Sequence, residues 1–304
     1  MSDTTVTLRR KIDSASDLQS VVRTMKTLAA SSIGQYESSV RALAEYSFTV
    51  ELGLGACLRA CASADAMQTE EALPQGGARR AVVFGSDQGL VGQFNERVAD
   101  HAIAALAALP GDTHIWAVGE RVQARLADAH VPLAGVFPIP SSVQAITPLV
   151  GQILVETEAR EGFDEDSELH LLYNRPGAGA VYAPVGQRLL PLDAQWRQDL
   201  AARPWPTRRV PDVMGSGTTM LRALVREYLF VSIFRACAES LASENASRLA
   251  AMQRADKNID ELLGKLNTAF QRGRQNGIDE ELFDVVAGFE ALAEEGMANE
   301  NQDR

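Results

Sequence analysis

No proline precedes Pro74 in this 304-residue chain, and none follows Pro211. A proline inside a helix removes a hydrogen bond and clashes with the preceding turn, so two long proline-free ends are two places where helix can run uninterrupted. In residues 211–292 apolar side chains return in steps of three and four: Ile259, Leu263, Leu266 and Phe270, then Ile278, Leu282, Val285, Phe289 and Leu292. Such steps place side chains on one stripe of a helix. Gly273 and Gly277 fall between the two runs and interrupt the stripe. Upstream, Leu221, Val225, Tyr228, Val231, Leu241, Leu249 and Met252 keep a looser version of the pattern. A helix of about 80 residues would be roughly 120 Å long. It cannot bury its stripe alone and needs a partner of similar length.

The N-terminal segment supplies that partner. Its stripe is Leu8, Ile12, Ala15, Leu18, Val22, Met25, Ala29, Ser32, Tyr36, Val40, Leu43, Ser47, Val50, Leu54 and Leu58. Small residues at Ala15, Ala29 and Ser32 let two helices approach closely. Asp13 and Asp17 are read as lying near the helix start, where negative charge suits the helix dipole. The helix is expected to end near Ala64, with Pro74, Gly76 and Gly77 closing a polar linker. Either segment alone would suit an ordinary helical bundle. Two such helices at opposite ends of a chain, with a different texture between them, favour an antiparallel coiled coil. The divisions read from the sequence are a first long helix and linker over 1–73, an α/β domain over 78–193, a second long helix over 211–293 and an acidic tail over 294–304.

The net charge of −11 argues against a nucleic-acid binder or a binder of anionic membranes. No stretch reads as a clean apolar 20-mer, so no transmembrane helix is expected. The opening Met-Ser-Asp-Thr-Thr-Val-Thr-Leu-Arg-Arg lacks the apolar core of a signal peptide, and the chain reads as cytoplasmic. Cys57 and Cys61 stand four apart on a predicted helix, a spacing that could hold two metal ligands. No histidine lies near them, and small apolar packing is the expected role. The odd total of three cysteines suits a reducing compartment.

The texture changes after Ala78. Ala81-Val82-Val83-Phe84 reads as a buried strand entering a turn, followed by a helix over 94–109, a strand over 114–118, a helix over 120–129, a strand over 133–138, a helix over 148–160 and a strand over 168–173. Residues 180–192 read as one more strand and its exit. Strands alternating with helices imply parallel crossover units, hence a small Rossmann-like α/β domain with helices on both faces of its sheet. The glycine-rich turn from Gly85 to Gly92 resembles a phosphate cradle in placement. It has neither the G-x-G-x-x-G spacing nor a following Gly-Lys-Ser/Thr, so a tight strand-to-helix turn is the favoured reading. His101, His114, His130 and His170 form no catalytic spacing, Glu294 and Glu295 belong to the acidic tail, and no catalytic constellation is expected.

Three motifs in chain order resemble the gamma subunit family of F-type ATP synthases. Leu8-Arg9-Arg10-Lys11-Ile12 and Thr24-Met25-Lys26-Thr27-Leu28-Ala29-Ala30-Ser31 are similar to the family's basic opening and its Met-centred, Ala-rich stretch. Gly85-Ser86-Asp87-Gln88-Gly89-Leu90-Val91-Gly92-Gln93-Phe94-Asn95 is similar to its Ser-Asp-x-Gly-Leu motif. The C-terminal match is the strongest: Ala242-Ser243-Glu244-Asn245-Ala246-Ser247-Arg248-Leu249-Ala250-Ala251-Met252, then Arg274-Gln275, Ile278, Glu281-Leu282 and Val286-Ala287-Gly288.

The resemblance implies a central rotor shaft inside a hexamer of alpha and beta subunits, with the α/β domain against the epsilon subunit and the c-ring. It implies a peripheral position on the cytoplasmic face of the cell membrane, no cofactor or metal, and no catalytic site of its own. It also places Met25, Lys26, Arg274, Gln275, Asp279 and Glu281 at the contact with beta. Position 279 is usually Thr in the family, and the basic cluster usual after Ala30 is replaced by Ser31-Ser32-Ile33-Gly34-Gln35. The cysteine pair of the light-regulated chloroplast form is not recognisable. These departures suit a divergent branch such as the alternate N-type ATPase. The competing readings are a nucleotide-binding α/β enzyme with helical extensions and an unrelated coiled-coil adaptor.

Residues 294–304 continue no apolar stripe, so deleting them should leave the thermal unfolding midpoint within about 2 °C of the full chain. A scanning-calorimetry comparison of the two forms checks this.

Overall fold

The computed structural model describes residues 2–62, 79–107, 113–159, 167–177, 181–209, 211 and 217–300, with side chains left undescribed at 2–4, 61–62, 159, 280, 281, 284 and 288–300. Helix α1 spans Ser2–Ala62 and helix α6 spans Gly217–Glu300. Between them run β1 (Arg79–Phe84), α2 (Phe94–Ala107), β2 (Thr113–Val118), α3 (Glu120–Asp128), β3 (Leu133–Phe137), α4 (Ile146–Ala159), β4 (Glu168–Arg175), β5 (Ala183–Leu190) and α5 (Ala194–Ala202). The chain divides into two compact units, Met1–Thr27 with Met252–Arg304, and Leu28–Ala251.

Burial along α1 repeats every seven residues: Ala15, Val22, Ala29, Tyr36, Val50 and Cys57 are buried and Leu43 is half-buried. Between these positions lie Gln19, Lys26, Ile33, Val40, Ser47 and Leu54, each buried or half-buried. This 3.5-residue period is the seam of a coiled coil. It corrects the predicted stripe at Leu18 and adds Lys26 to it. Leu18 is 54% exposed whereas Gln19 is 8% exposed, because strict heptad phase, and not side-chain polarity, decides which position faces the partner helix. Lys26 likewise takes the seam position beside the half-buried Met25. Helix α1 begins at Ser2, so Asp13 and Asp17 lie well past its first turn and not at its start.

In the first unit the opposing seam of α6 is Met252, Asp256, Ile259, Leu263, Leu266 and Phe270, followed by Gly273 and Gly277. The interruption expected at the glycines is present: Gly273 still lies against α1, whereas a Cβ on Gly277 would meet nothing within 4 Å. A Cβ on Gly273 would sit 3.5 Å from Thr5 Cγ2, near the beginning of α1. Beyond that level no helix of the chain lies alongside among the described residues. Ile278, Leu282 and Val285, read as the second half of the stripe, are exposed accordingly. The side chains of Phe289 and Leu292 lie outside the described residues. The backbone of 294–300, read as a tail, continues α6.

The second unit carries the sheet, ordered β3-β2-β1-β4-β5. β1 is parallel to β2 and β4, β2 is parallel to β3, and β5 closes the edge antiparallel to β4. All six residues of β1 are buried, as befits a central strand covered on both faces. Ala81, Val83, Ile115, Ala117 and Leu172 face α2 and α3, packing on Val98, Ala102, Val122 and Leu126. Val82, Phe84, Trp116, Leu171 and Tyr173 face the other way, onto Ile146, Val150 and Ile153 of α4 and Leu229, Ile233 and Cys237 of α6. The predicted alternation and the coverage of both faces are thus present, with the long helices serving as part of one cover.

Helix α5 had no counterpart in the sequence reading. Asp193 caps it, accepting a hydrogen bond from Trp196 N at 2.9 Å. Leu200 buries against Val50 and Leu54 of α1. The crossing is close enough that a Cβ on Gly55 would lie 2.4 Å from Leu200 O. Arg59 donates to the carbonyls of Ala201 and Arg203 at 2.9 and 2.8 Å, satisfying acceptors at the end of α5.

Gly119, between β2 and α3, has φ 110°, and a Cβ there would meet Ser86 O at 2.8 Å. Gly119→Ala combines a backbone conformation that L residues avoid with a backbone clash. It should cost about 2–4 kcal/mol, read as a lower urea midpoint at unchanged slope.

Candidate functional site

Two places carry the residues singled out by sequence. The first is the loop from Gly85 to Asn95 and the part of α6 packed on it. Its hydrogen bonds close on themselves. Ser86 N donates to Asn95 Oδ1 at 2.9 Å, and Asn95 Nδ2 donates back to Ser86 Oγ at 2.8 Å. Asp87 accepts from Glu120 N at 2.8 Å and from Ile139 N at 3.1 Å. One carboxylate thereby occupies the N-terminus of α3 and ties down the residues after β3, using the donors that an anion would otherwise find there. Gly92 and Leu90 both take positive φ, 61° and 64°, and Leu90 projects into solvent. Gly92 suits that turn at no steric cost.

Helix α6 meets this loop with its Ala242–Arg248 motif. Ser247 Oγ donates to Val91 O. Glu244 is buried and pairs with Arg248 at 2.6 Å. Burial pushes the Glu244 carboxyl above the usual carboxylate range, with Asp87 adding to the rise and the Arg248 guanidinium opposing it. Asn245 Nδ2 donates to Leu241 O at 2.8 Å, and Asn174 Nδ2 to Phe94 O at 3.0 Å. Two of the sequence motifs therefore form one polar joint between the long helix and the sheet domain. It is a buried connection in which Arg248 Nε and Asn174 Oδ1 are the atoms left without a hydrogen-bond partner among the described residues.

The second place is the paired helices of the first unit. Lys26 Nζ lies 2.9 Å from Asp256 Oδ2, and Arg23 Nε lies 3.2 Å from Asp256 Oδ1. Arg23 also reaches Asp260 at 3.7 Å, and Gln19 Nε2 donates to Asp260 Oδ1. Ascending residues of α1 meet descending residues of α6, so the pairing is antiparallel. The hydrogen bond from Lys26 holds the Asp256 carboxyl below its usual range; desolvation opposes it, and the hydrogen bond from Arg23 adds to the lowering. A polar residue at a seam position restricts which registers two helices can adopt. Sequence reading missed this cluster because it followed apolar residues; a heptad count from Ala15 with alternating steps of four and three puts Gln19 and Lys26 on the seam.

Of the six residues expected at a partner contact, Met25 and Lys26 are half-buried, and Lys26 is engaged by Asp256. Arg274, Gln275 and Asp279 are exposed on α6, and the side chain of Glu281 lies outside the described residues. Beside them Ile278, Leu282 and Phe283 are 53%, 63% and 71% exposed, an apolar face on the same stretch of helix. Cys57 and Cys237 are free and buried, and no cluster of three or more potential metal ligands occurs among the described residues. The side chain of Cys61 lies outside them. No described helix is long and apolar enough to cross a membrane.

A family model described as ATP synthase matches residues 4–292. An ATP synthase gamma chain of Salinibacter ruber is 28% identical over 306 residues, covering 95% of this chain and 98% of the relative. That of Moorella thermoacetica is 28% identical over 293 residues, covering 94% and 98%. Among solved structures, the rotor of the Euglena gracilis mitochondrial ATP synthase superposes with a TM-score of 0.61 at 15% identity, covering 91% of this chain and 100% of the other. The central stalk and c-ring structure of the Tetrahymena thermophila mitochondrial ATP synthase gives 0.56 at 20% identity, covering 77% and 99%. At these identities the structural likeness establishes the fold.

The Asp256 cluster makes a charge test possible. Asp256→Lys alone faces Lys26 and Arg23 with like charge and should lower the melting temperature at pH 7 by about 2–4 °C. Combining it with Lys26→Asp should recover part of that loss. Because the Asp256 carboxyl is depressed when folded, its contribution is complete above the ordinary aspartate range and is lost as pH falls through the depressed value. The difference between wild type and Asp256→Asn should therefore be flat from pH 7 to 5 and shrink only below about pH 4.

Proposed function

The chain belongs to the ATP synthase family, in its gamma branch, and on that premise we propose that its paired helices are the central rotor shaft of an F-type ATP synthase. The shaft couples ion-driven rotation of a c-ring to ATP synthesis or hydrolysis on the beta subunits. The observation that carries this reading is the pairing of two long helices at opposite ends of one chain around an α/β domain, over nearly the full length of gamma-chain relatives. Torque needs a rod whose two strands cannot slip past each other, and the Lys26, Arg23 and Asp256 cluster supplies a register lock within it.

In this reading alpha and beta subunits surround the shaft, epsilon and the c-ring meet the α/β domain, and the complex sits at the cytoplasmic face of the cell membrane. The chain carries no catalytic residues of its own; chemistry belongs to beta, whose sites are biased by the orientation of an asymmetric shaft. The exposed Arg274, Gln275 and Asp279, flanked by Ile278, Leu282 and Phe283, are the part of α6 best suited to a beta loop. A guanidinium there can take a carboxylate in two parallel hydrogen bonds. Met25, Lys26 and Glu281 belong to the same assignment, Lys26 with its charge already shared with Asp256. The rival reading as a nucleotide-binding enzyme is disfavoured by the loop from Gly85 to Asn95, where Asn95 and Asp87 take up the backbone donors a phosphate would need.

Co-expression with the neighbouring alpha and beta subunits, followed by size-exclusion chromatography and an ATPase assay, tests the reading. A large complex whose hydrolysis depends on this chain is expected, and alpha and beta eluting without it would overturn the assignment. Arg274→Ala should leave assembly intact and lower the ATPase rate about tenfold.

A further inference from the structure

The polar joint between α6 and the Gly85 to Asn95 loop sets the carboxyl groups of Glu244 and Asp87 against the guanidinium of Arg248. Glu244 is 5% exposed and accepts from Arg248 Nη2 at 2.6 Å, one turn along the same helix. That pair binds α6 to itself and not to the loop. Asp87 faces it from the loop, held as a carboxylate by Glu120 N and Ile139 N at 2.8 and 3.1 Å. Arg248 also reaches Asn245 Oδ1 at 3.4 Å, while its Nε has no hydrogen-bond partner among the described residues. Tyr36 faces Glu244 from α1, and Cys237 faces it from α6. Both are buried and burial pushes both groups up, so they are neutral at about pH 7 and supply no positive charge. With both carboxyls ionised the joint holds one uncompensated negative charge away from water, a costly state. One added proton makes it neutral. The two backbone donors on Asp87 favour its charged form, so the proton belongs on Glu244.

We infer that Glu244 is a proton-operated latch between the long helix and the sheet domain: protonated, it lets the loop seat on α6, and ionised, it repels Asp87 and loosens that seat. The proton comes from solvent and goes to Glu244 Oε2, while Oε1 keeps its hydrogen bond from Arg248. The latch goes beyond the shaft role and does not depend on it. Its sign follows from the direction in which the carboxyl is moved. Burial, with Asp87 adding to it, raises Glu244 above the ordinary glutamate range. The stabilising effect is therefore complete at and below that range and is lost as pH rises through the raised value. Above it, the hydrogen bond from Ser247 Oγ to Val91 O holds the loop against the repulsion between Glu244 and Asp87. The grip of α6 on the sheet domain is thus firmer in acid than in base. An ordinary buried ion pair predicts the reverse for Glu244→Gln, which would strand the Arg248 charge and loosen the joint.

Amide hydrogen exchange of the full chain, corrected for the intrinsic pH dependence of exchange, reads the latch directly. Between about pH 5 and about pH 8 the protection of residues 86–95 should fall at least about threefold in the wild type. In Glu244→Gln, which keeps the shape of the side chain and cannot ionise, protection should stay at the wild-type acid level across that range. Infrared spectroscopy of the wild type gives a second readout that needs no variant. A protonated-carboxyl band should persist above the pH at which ordinary carboxyls have ionised, and Glu244→Gln should lack it. Parallel pH profiles of protection in the two forms would overturn the inference. So would lower protection in Glu244→Gln than in the wild type at about pH 5, the mark of a joint held by the ion pair itself. Absence of any carboxyl band beyond the ordinary range would overturn it as well. None of these readouts uses alpha, beta or a c-ring, so failure of the latch and failure of the shaft reading are separate results.

Discussion

Everything in this structure depends on two helices that cannot stand alone. Helix α1 has 61 residues and α6 has 84, and an isolated amphipathic helix of either length would expose a continuous apolar seam to water. Pairing removes that exposure where the two helices overlap, and the seven-residue period of Ala15, Val22, Ala29 and Tyr36 shows how strictly it is done there. Small residues at 15 and 29 draw the backbones together. The polar positions at Gln19, Lys26 and Asp256 give up some hydrophobic burial and in return penalise a slipped register, since any shift would leave a charge unpaired beside apolar neighbours.

The α/β domain solves a different problem. A mostly parallel sheet must be covered on both faces, and this chain covers one with α2 and α3 and the other with α4 and its own long helices. The joint that holds α6 to the sheet is polar and buried. Glu244 pairs with Arg248, Ser247 reaches the loop at Val91, and Asn95 and Asp87 bond within the loop and to its neighbours. Such a network stays rigid because opening it would strand several buried polar groups at once. Rigidity here suits a part that must pass on force.

Most of the architecture was legible because it rests on short-range rules. Proline-free ends, helical spacing and the alternation of strand and helix each report local geometry, and the observed elements follow them closely. The misses have two causes. The expected stripe takes Leu18 in place of Gln19, and omits Lys26, because hydrophobicity is read without the strict heptad phase that a partner helix imposes. Helix α5 passed unnoticed for want of a strong stripe, since its stability comes from Leu200, Trp196 and the Arg59 cap. Among the candidate contact residues, the exposure of Arg274 and Gln275 was compatible with the sequence pattern, but the engagement of Lys26 was not visible in it.

By itself, then, the order of residues determined the class of fold, the two long helices, the strand–helix alternation and the family, because these follow from periodicity, turn chemistry and motif order along one dimension. Only the tertiary structure decided the phase of the seam, the pairing of Lys26 and Arg23 with Asp256 and of Gln19 with Asp260, the clamp of Arg59 on α5 and the closure of the Gly85 to Asn95 loop on itself. Each of those joins residues far apart in the chain, and the geometry that brings such groups within hydrogen-bond distance is set by packing, which local sequence rules do not specify.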